Sequence, residues 1–237
     1  MSRALAAAAL GACVLALAAA SAAGAPTDPS SNIALGPLPG ACAQAPRGAA
    51  CENAAIHSLD HARAKLGLGP YLLPAGFVTL VPARQWLILS NLDRIAYKMR
   101  PITGLALPLD KVAQQGAIAH ADPDPGPLLS RLHNQTQLGY ASNWAGGQAN
   151  ALLAYYGWMY DDGYGGPNLD CSTPNAPSCW GHRHDILAFP QGGALAMGAA
   201  SVKGSASYAL TIVDTERPAW PYAYTWAQAK RAGAGAG

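Results

Sequence analysis

Charge is scarce in this sequence. Only 12% of its 237 residues are charged and the formal net charge is +2. The only basic cluster is the short Lys230-Arg231 pair. No nucleic-acid partner is expected, because phosphate backbones are held by concentrated basic surfaces. Glutamate is scarcer still: Glu52 and Glu216 stand against eleven aspartates and six histidines. That shortage removes most mechanisms built on glutamate. No H-E-x-x-H zinc pair, no G-x-S-x-G nucleophile elbow and no C-x-x-C thiolate pair occurs, so the usual signatures of metalloprotease, serine hydrolase and zinc knuckle are missing. Disorder of the whole chain is excluded too, since 51% of residues are hydrophobic. Beyond the N-terminus no run approaches about 18 continuous apolar residues, so no stable membrane span is expected once the leader is removed.

The first residues read as that leader. Arg3 supplies a positive start, Ala4 to Ala20 is apolar, and Ala20-Ser21-Ala22 or Ser21-Ala22-Ala23 offers small residues for cleavage. Residues 1–23 are therefore expected to be a signal peptide, and the protein to be secreted. A retained anchor and a lipobox at Leu10-Gly11-Ala12-Cys13 are the rival readings. Four cysteines then remain, and an even number in an exported chain favours disulfides. Of three pairings, the local ones, Cys42–Cys51 and Cys171–Cys179, need the fewest assumptions.

Residues 24–46 are rich in Pro, Gly, Ala and Ser and read as a flexible lead-in. Helices are expected over Ala49–Leu66, Pro82–Met99 and Leu109–His120, the second opened by Pro82 in the tolerated first turn and stopped by Pro101. Asp122-Pro123-Asp124-Pro125-Gly126-Pro127 breaks the third. A short strand at Tyr140–Ala145, a helix at Asn150–Met159, an extended piece or turn at Ile186–Phe189 and a hairpin of Leu195–Val202 with Ser207–Val213 complete the pattern. The domain is expected over 47–214, with 215–237 as a tail ending in low complexity. Helices first and short strands later point to an α+β fold, with helices packed on a small antiparallel sheet.

The chemistry concentrates between Trp158 and Leu187. Trp158-Met159-Tyr160-Asp161-Asp162 is followed by the Cys171–Cys179 pair and then by Trp180-Gly181-His182-Arg183-His184-Asp185. A disulfide there would hold acids and histidines in one neighbourhood. His182 and His184, two residues apart, share a face on a strand; on a helix they diverge by about 200°. Joint metal ligation thus requires extended or irregular backbone. A structural histidine, bonded to a backbone group, is the plain alternative.

The order Asn91-Leu92-Asp93-Arg94, then Leu109 with Ala113 and Ala117, then Trp158, then Gly181-His182-Arg183 with Ile186-Leu187 resembles the CAP superfamily. That superfamily holds the cysteine-rich secretory proteins, antigen 5 and plant pathogenesis-related proteins. The likeness covers about residues 80–214 and is to divergent bacterial, actinobacterial-type members. It implies an α-β-α sandwich and a cleft in which two histidines and two glutamates hold a divalent cation such as Zn, Mg or Ca. His182 matches one histidine, Asp161 or Asp162 stands for one glutamate, and Asn143-Trp144-Ala145-Gly146-Gly147 replaces the other acid. His120 falls early for the second histidine and His133 late. The resemblance therefore implies a degenerate cation site, with His182, Asp161, His184 and His120 as candidate ligands and Trp158 and Trp180 as further cleft residues. Trp144, Tyr155, Tyr156 and Tyr160 are additional aromatic candidates. A binding protein for a lipid, a cell-wall component or a protein is the expected function. A metal-assisted hydrolase using His182 with Asp161 or Asp162 is the alternative.

Overall fold

The computed structural model describes residues 26–132, 138–191 and 193–235. The expected signal peptide, Cys13 and His133 lie outside them. At the centre is the hairpin read from the alternation after Leu195. Strands β3 (Ala194–Ser201) and β4 (Ser207–Thr215) pair antiparallel from Ala194 opposite Thr215 to Ser201 opposite Tyr208. Strand β2 (Leu138–Gly146) lies antiparallel on the other side of β4. On the far side of β3 sit β1 (Gly104–Ala106) and β5 (Tyr222–Thr225), giving the order β2-β4-β3-β1-β5. The sheet differs from the antiparallel expectation in one ladder, because β1 runs parallel to β3. The fold is α+β.

The two faces of the sheet follow from its two-residue period. Leu195, Met197 and Ala199, with Tyr208, Leu210 and Ile212, face the larger core. Above them lie α2 (Ala49–Lys65), α3 (Pro82–Ala96) and α6 (Ala151–Tyr160). Ala196 and Val213 face the smaller core, which also holds Leu109 of α4 (Leu107–Ala119) and Leu129 of α5 (Gly126–Leu129). Gly198 permits that second layer: a Cβ there would stand 2.1 Å from the Leu109 carbonyl carbon. Helices thus cover both faces.

Helix α3 is buried continuously from Gln85 to Arg94, so its polar side chains need internal partners. Asn91 clasps one residue, accepting from the Ile102 N–H at 2.6 Å and donating to its carbonyl at 2.9 Å. Arg94 donates to the carbonyls of Arg100 (2.7 Å), Ile186 (2.9 Å), Ala188 (2.7 Å) and Phe189 (3.0 Å). Burial lowers its pKa to about 10. Asp93 accepts from Arg63, from Tyr71 Oη at 2.5 Å and from Tyr155 Oη at 2.7 Å, with Tyr160 Oη at 3.2 Å. The Asn-x-x-Arg motif is thus occupied with holding the fold.

The described segments 26–46 and 215–235 are more ordered than their composition implied. Within the 24–46 lead-in, Asn32 donates to the Gly163 and Tyr164 carbonyls and accepts from the Gly163 N–H, while the Ile33 N–H reaches the Tyr160 carbonyl at 2.8 Å. Helix α1 (Ala41–Gln44) is joined to α2 by the Cys42–Cys51 disulfide, Cα to Cα 5.0 Å. A Pro- and Gly-rich segment is fixed here because the end of α6 supplies its backbone partners. The 215–237 tail contains β5 and α8 (Trp226–Arg231), capped reciprocally by Thr225 and Gln228 and anchored by buried Trp226. Gly235 N–H then bonds the Leu72 carbonyl at 2.8 Å. Among the described residues no helix is long and apolar enough to cross a membrane.

Replacing Arg94 by Met should leave its four carbonyls without their donor. We expect a loss of at least about 3 kcal/mol in urea unfolding, against within about 0.5 kcal/mol for the surface change Lys111→Met.

Candidate functional site

Helix α6 begins at Asn150, whose side chain accepts from the Leu153 N–H at 2.9 Å, and every residue in it except Gly157 is buried. It ends at Asp161, its C-cap, and the chain then turns Asp162 inward until only 2% of its side chain is exposed. The loop that follows is closed by the Cys171–Cys179 disulfide, Cα to Cα 4.5 Å. Trp180 takes a left-handed φ of 63° and opens α7 (Gly181–Ile186), a helical turn and a half where extended backbone or a turn was expected at its end.

Asp162 organises what comes next. One carboxylate oxygen accepts from the His182 N–H at 2.9 Å and more weakly from the Arg183 N–H at 3.4 Å. The other lies 2.6 Å from His182 Nδ1. Its backbone carbonyl accepts from the Trp180 N–H at 3.1 Å. Burial opposes the charge on His182, but the hydrogen bond and charge of Asp162, with Asp122 and Asp185 nearby, outweigh it and raise the imidazole pKa. Burial likewise raises Asp162, against the lowering effect of His182. With Nδ1 committed to Asp162, neutral His182 carries its proton there and leaves Nε2 as an acceptor. Nε2 has no hydrogen-bond partner among the described residues.

His182 and Asp162 line a cavity of about 470 Å³. Trp144, from the end of β2, and Trp158, from α6, form apolar wall, and Asp122 and Asp170 stand among the lining residues. Both indole N–H groups are spent internally: Trp158 Nε1 donates to the Trp144 carbonyl at 3.2 Å, and Trp144 Nε1 to Ser207 Oγ at 2.8 Å. Desolvation raises the pKa of Asp122, against the lowering effects of His182 and the Trp144 backbone. Among the described residues no Lys, Arg, Ser, Thr, Cys or Tyr lines the cavity.

The structure therefore joins four of the sequence candidates, His182, Asp162, Trp158 and Trp144, and separates the others. Trp180 is buried and does not line the cavity. Asp161 is the C-cap residue of α6 and does not line the cavity. His184 diverges from His182 because α7 is helical, and its Nε2 lies 2.9 Å from Asp28 on an exposed face. His120 ends α4 in a left-handed conformation, exposed, with its ring 5.7 Å from that of Trp144. Tyr155 and Tyr160 serve Asp93, and Tyr156 donates to the Ile33 carbonyl. Asn143 donates to the His182 carbonyl at 2.8 Å, so the segment lacking an acid still locates the histidine.

These positions do not fit a divalent cation. Among the described residues no group of three or more His, Cys, Asp or Glu side chains is arranged to hold one. His182 Nδ1 and both Asp162 oxygens already bond one another and the α7 backbone. Asp122 and Asp170 escaped the sequence reading. Asp122 belongs to a Pro-rich breaker whose role looked purely structural, and its only signal was a position just after the helix that ends at His120.

Asp185 gives the cluster a measurable pH response. Desolvation raises its pKa to about 7, aided by Asp122 and Asp162 and opposed by His182. A carboxyl raised in the folded state costs stability once it ionises, so the penalty grows from about pH 4 to about pH 7. Asp185→Asn should therefore raise Tm near pH 8 and leave it unchanged near pH 3. Equal shifts at both pH values would contradict this assignment. Compared with protein-family models, curated proteins and solved structures, the chain matches none.

Proposed function

We propose that this chain is a secreted binding domain of CAP-like type, whose cavity takes a small lipid or cell-envelope component without turning it over. The observation that carries the reading is the cavity itself. At about 470 Å³ it falls within the range of about 300–1,000 Å³ of small-molecule sites, and it pairs apolar walls with a few convergent polar groups. The indoles of Trp144 and Trp158 offer large rigid faces, because their N–H groups are used elsewhere. A concave site of this size favours a small ligand over a protein surface. Export is supported by the leader-like N-terminus and by two disulfides, which persist in oxidising compartments.

The hydrolase alternative lacks parts. A histidine oriented by a carboxylate is half of a nucleophilic apparatus. No hydroxyl or thiol side chain lines the cavity among the described residues to supply the other half. The cation that could activate water in its place has no fitting set of ligands.

Titrating the protein with 1-decanol below its solubility limit should quench tryptophan fluorescence saturably. Trp144→Ala should weaken that binding about tenfold or more while keeping the far-ultraviolet spectrum. p-Nitrophenyl butyrate should be hydrolysed no faster than by His182→Ala. Absence of saturable binding, or turnover that depends on His182, would overturn the proposal.

A further inference from the structure

All the polar side chains of the cavity except Gln148 offer it acceptors rather than free donors, and that selects a ligand class. Asp122 and Asp170 present carboxylates, which only accept when ionised. Neutral His182 presents Nε2 as an acceptor, because Asp162 holds the proton on Nδ1. Asn168, the lining amide beside Asp170, has both donor hydrogens committed, to the carbonyls of Asp162 (3.2 Å) and Ser178 (2.9 Å). Gln148 is the one lining side chain with amide hydrogens to give. No lysine or arginine lines the wall among the described residues, so nothing cationic except protonated His182 would meet an anionic head group.

From this inventory we infer that the ligand carries a protonated amine, its ammonium hydrogens directed at Asp122 and His182 Nε2 and its apolar part against Trp144 and Trp158. Three forces act together on such a group. Carboxylate acceptors make charge-assisted hydrogen bonds, about twice as strong as neutral ones. Indole faces attract cations through their quadrupole. The surrounding acids, Asp122, Asp162 and Asp185, which all face His182, set a negative local field. A carboxylate head group would meet the same acids as repulsion, and an alcohol, with no charge and a single hydrogen to donate, would gain one bond to a carboxylate and no ion pairing or cation–π attraction. Asp28, on the outer side of α7, is engaged with His184 and stands apart from this wall.

The inference rests on the binding reading above, and its test separates the two. Decylammonium, 1-decanol and decanoate are titrated at about pH 8, where the alkylamine is still protonated. Decylammonium should bind about tenfold tighter than 1-decanol, and decanoate weakest, as one charge-assisted hydrogen bond implies. Asp122→Asn should remove most of the amine advantage, weakening decylammonium about tenfold and 1-decanol by no more than about threefold. Thermal melting reports whether the variant is folded, and Asp170→Asn is a second variant with the same expected direction. Equal binding of amine and alcohol, or tighter binding of decanoate, overturns the amine assignment while the binding reading stands. No binding of any of the three overturns both.

Discussion

The carboxylate of Asp162 sits at the end of a helix buried on nearly every side, with only 2% of its side chain exposed. A carboxylate there would be costly without partners, and burial does raise its pKa. Its partners are the first N–H groups of α7 and the ring of His182. Those bonds do two things at once. They hold the N-terminal end of a helix too short to be stable alone, and they assign the proton of the imidazole. The polarity that His182 presents to the cavity depends on that assignment.

The other end of α7 is held by a second buried charge. Arg94 reaches from α3 to the carbonyls of Ile186 and Ala188, just where the helix stops. A third, Asp93, gathers Arg63 from α2, Tyr71 from the segment after it, and Tyr155 and Tyr160 from α6. Helix α6 is thereby fixed through its tyrosines on one side while Trp158 and the following Asp162 build the cavity on the other. Buried polar networks of this kind confer a single arrangement when each member is satisfied. One orphan stands beside the site: Asn143 Oδ1 is buried with no partner among the described residues, although Asn143 Nδ2 holds the His182 carbonyl.

Much of this frame could be read before folding. The Leu195–Val213 alternation, Pro82 as a helix opener and the local cysteine pairs each have a mechanism that acts within a few residues. His182 and His184, two residues apart, point away from each other because α7 is helical. Elements whose causes lie far away in the chain were not legible. Strand β1 has three residues, too few for a period, and its parallel pairing is set by β3 about ninety residues on. The lead-in and the C-terminal segment looked unstructured by composition, because their partners, the end of α6 and Leu72, are remote. Helix α6 is apolar all round, so periodicity could not say which of its aromatics face the core and which the cavity. Asp122 was hidden for a similar reason: the chain reversal at His120, not any motif, brings it to Trp144.

Asp162 makes neutral His182 an acceptor toward the cavity. Long-range proton–nitrogen NMR of the imidazole rings, recorded above the titration of His182, reads the tautomer directly. A protonated Nδ1 and a bare Nε2 are expected in the native protein, with the preference lost in Asp162→Asn. A native His182 carrying its proton on Nε2 would contradict it.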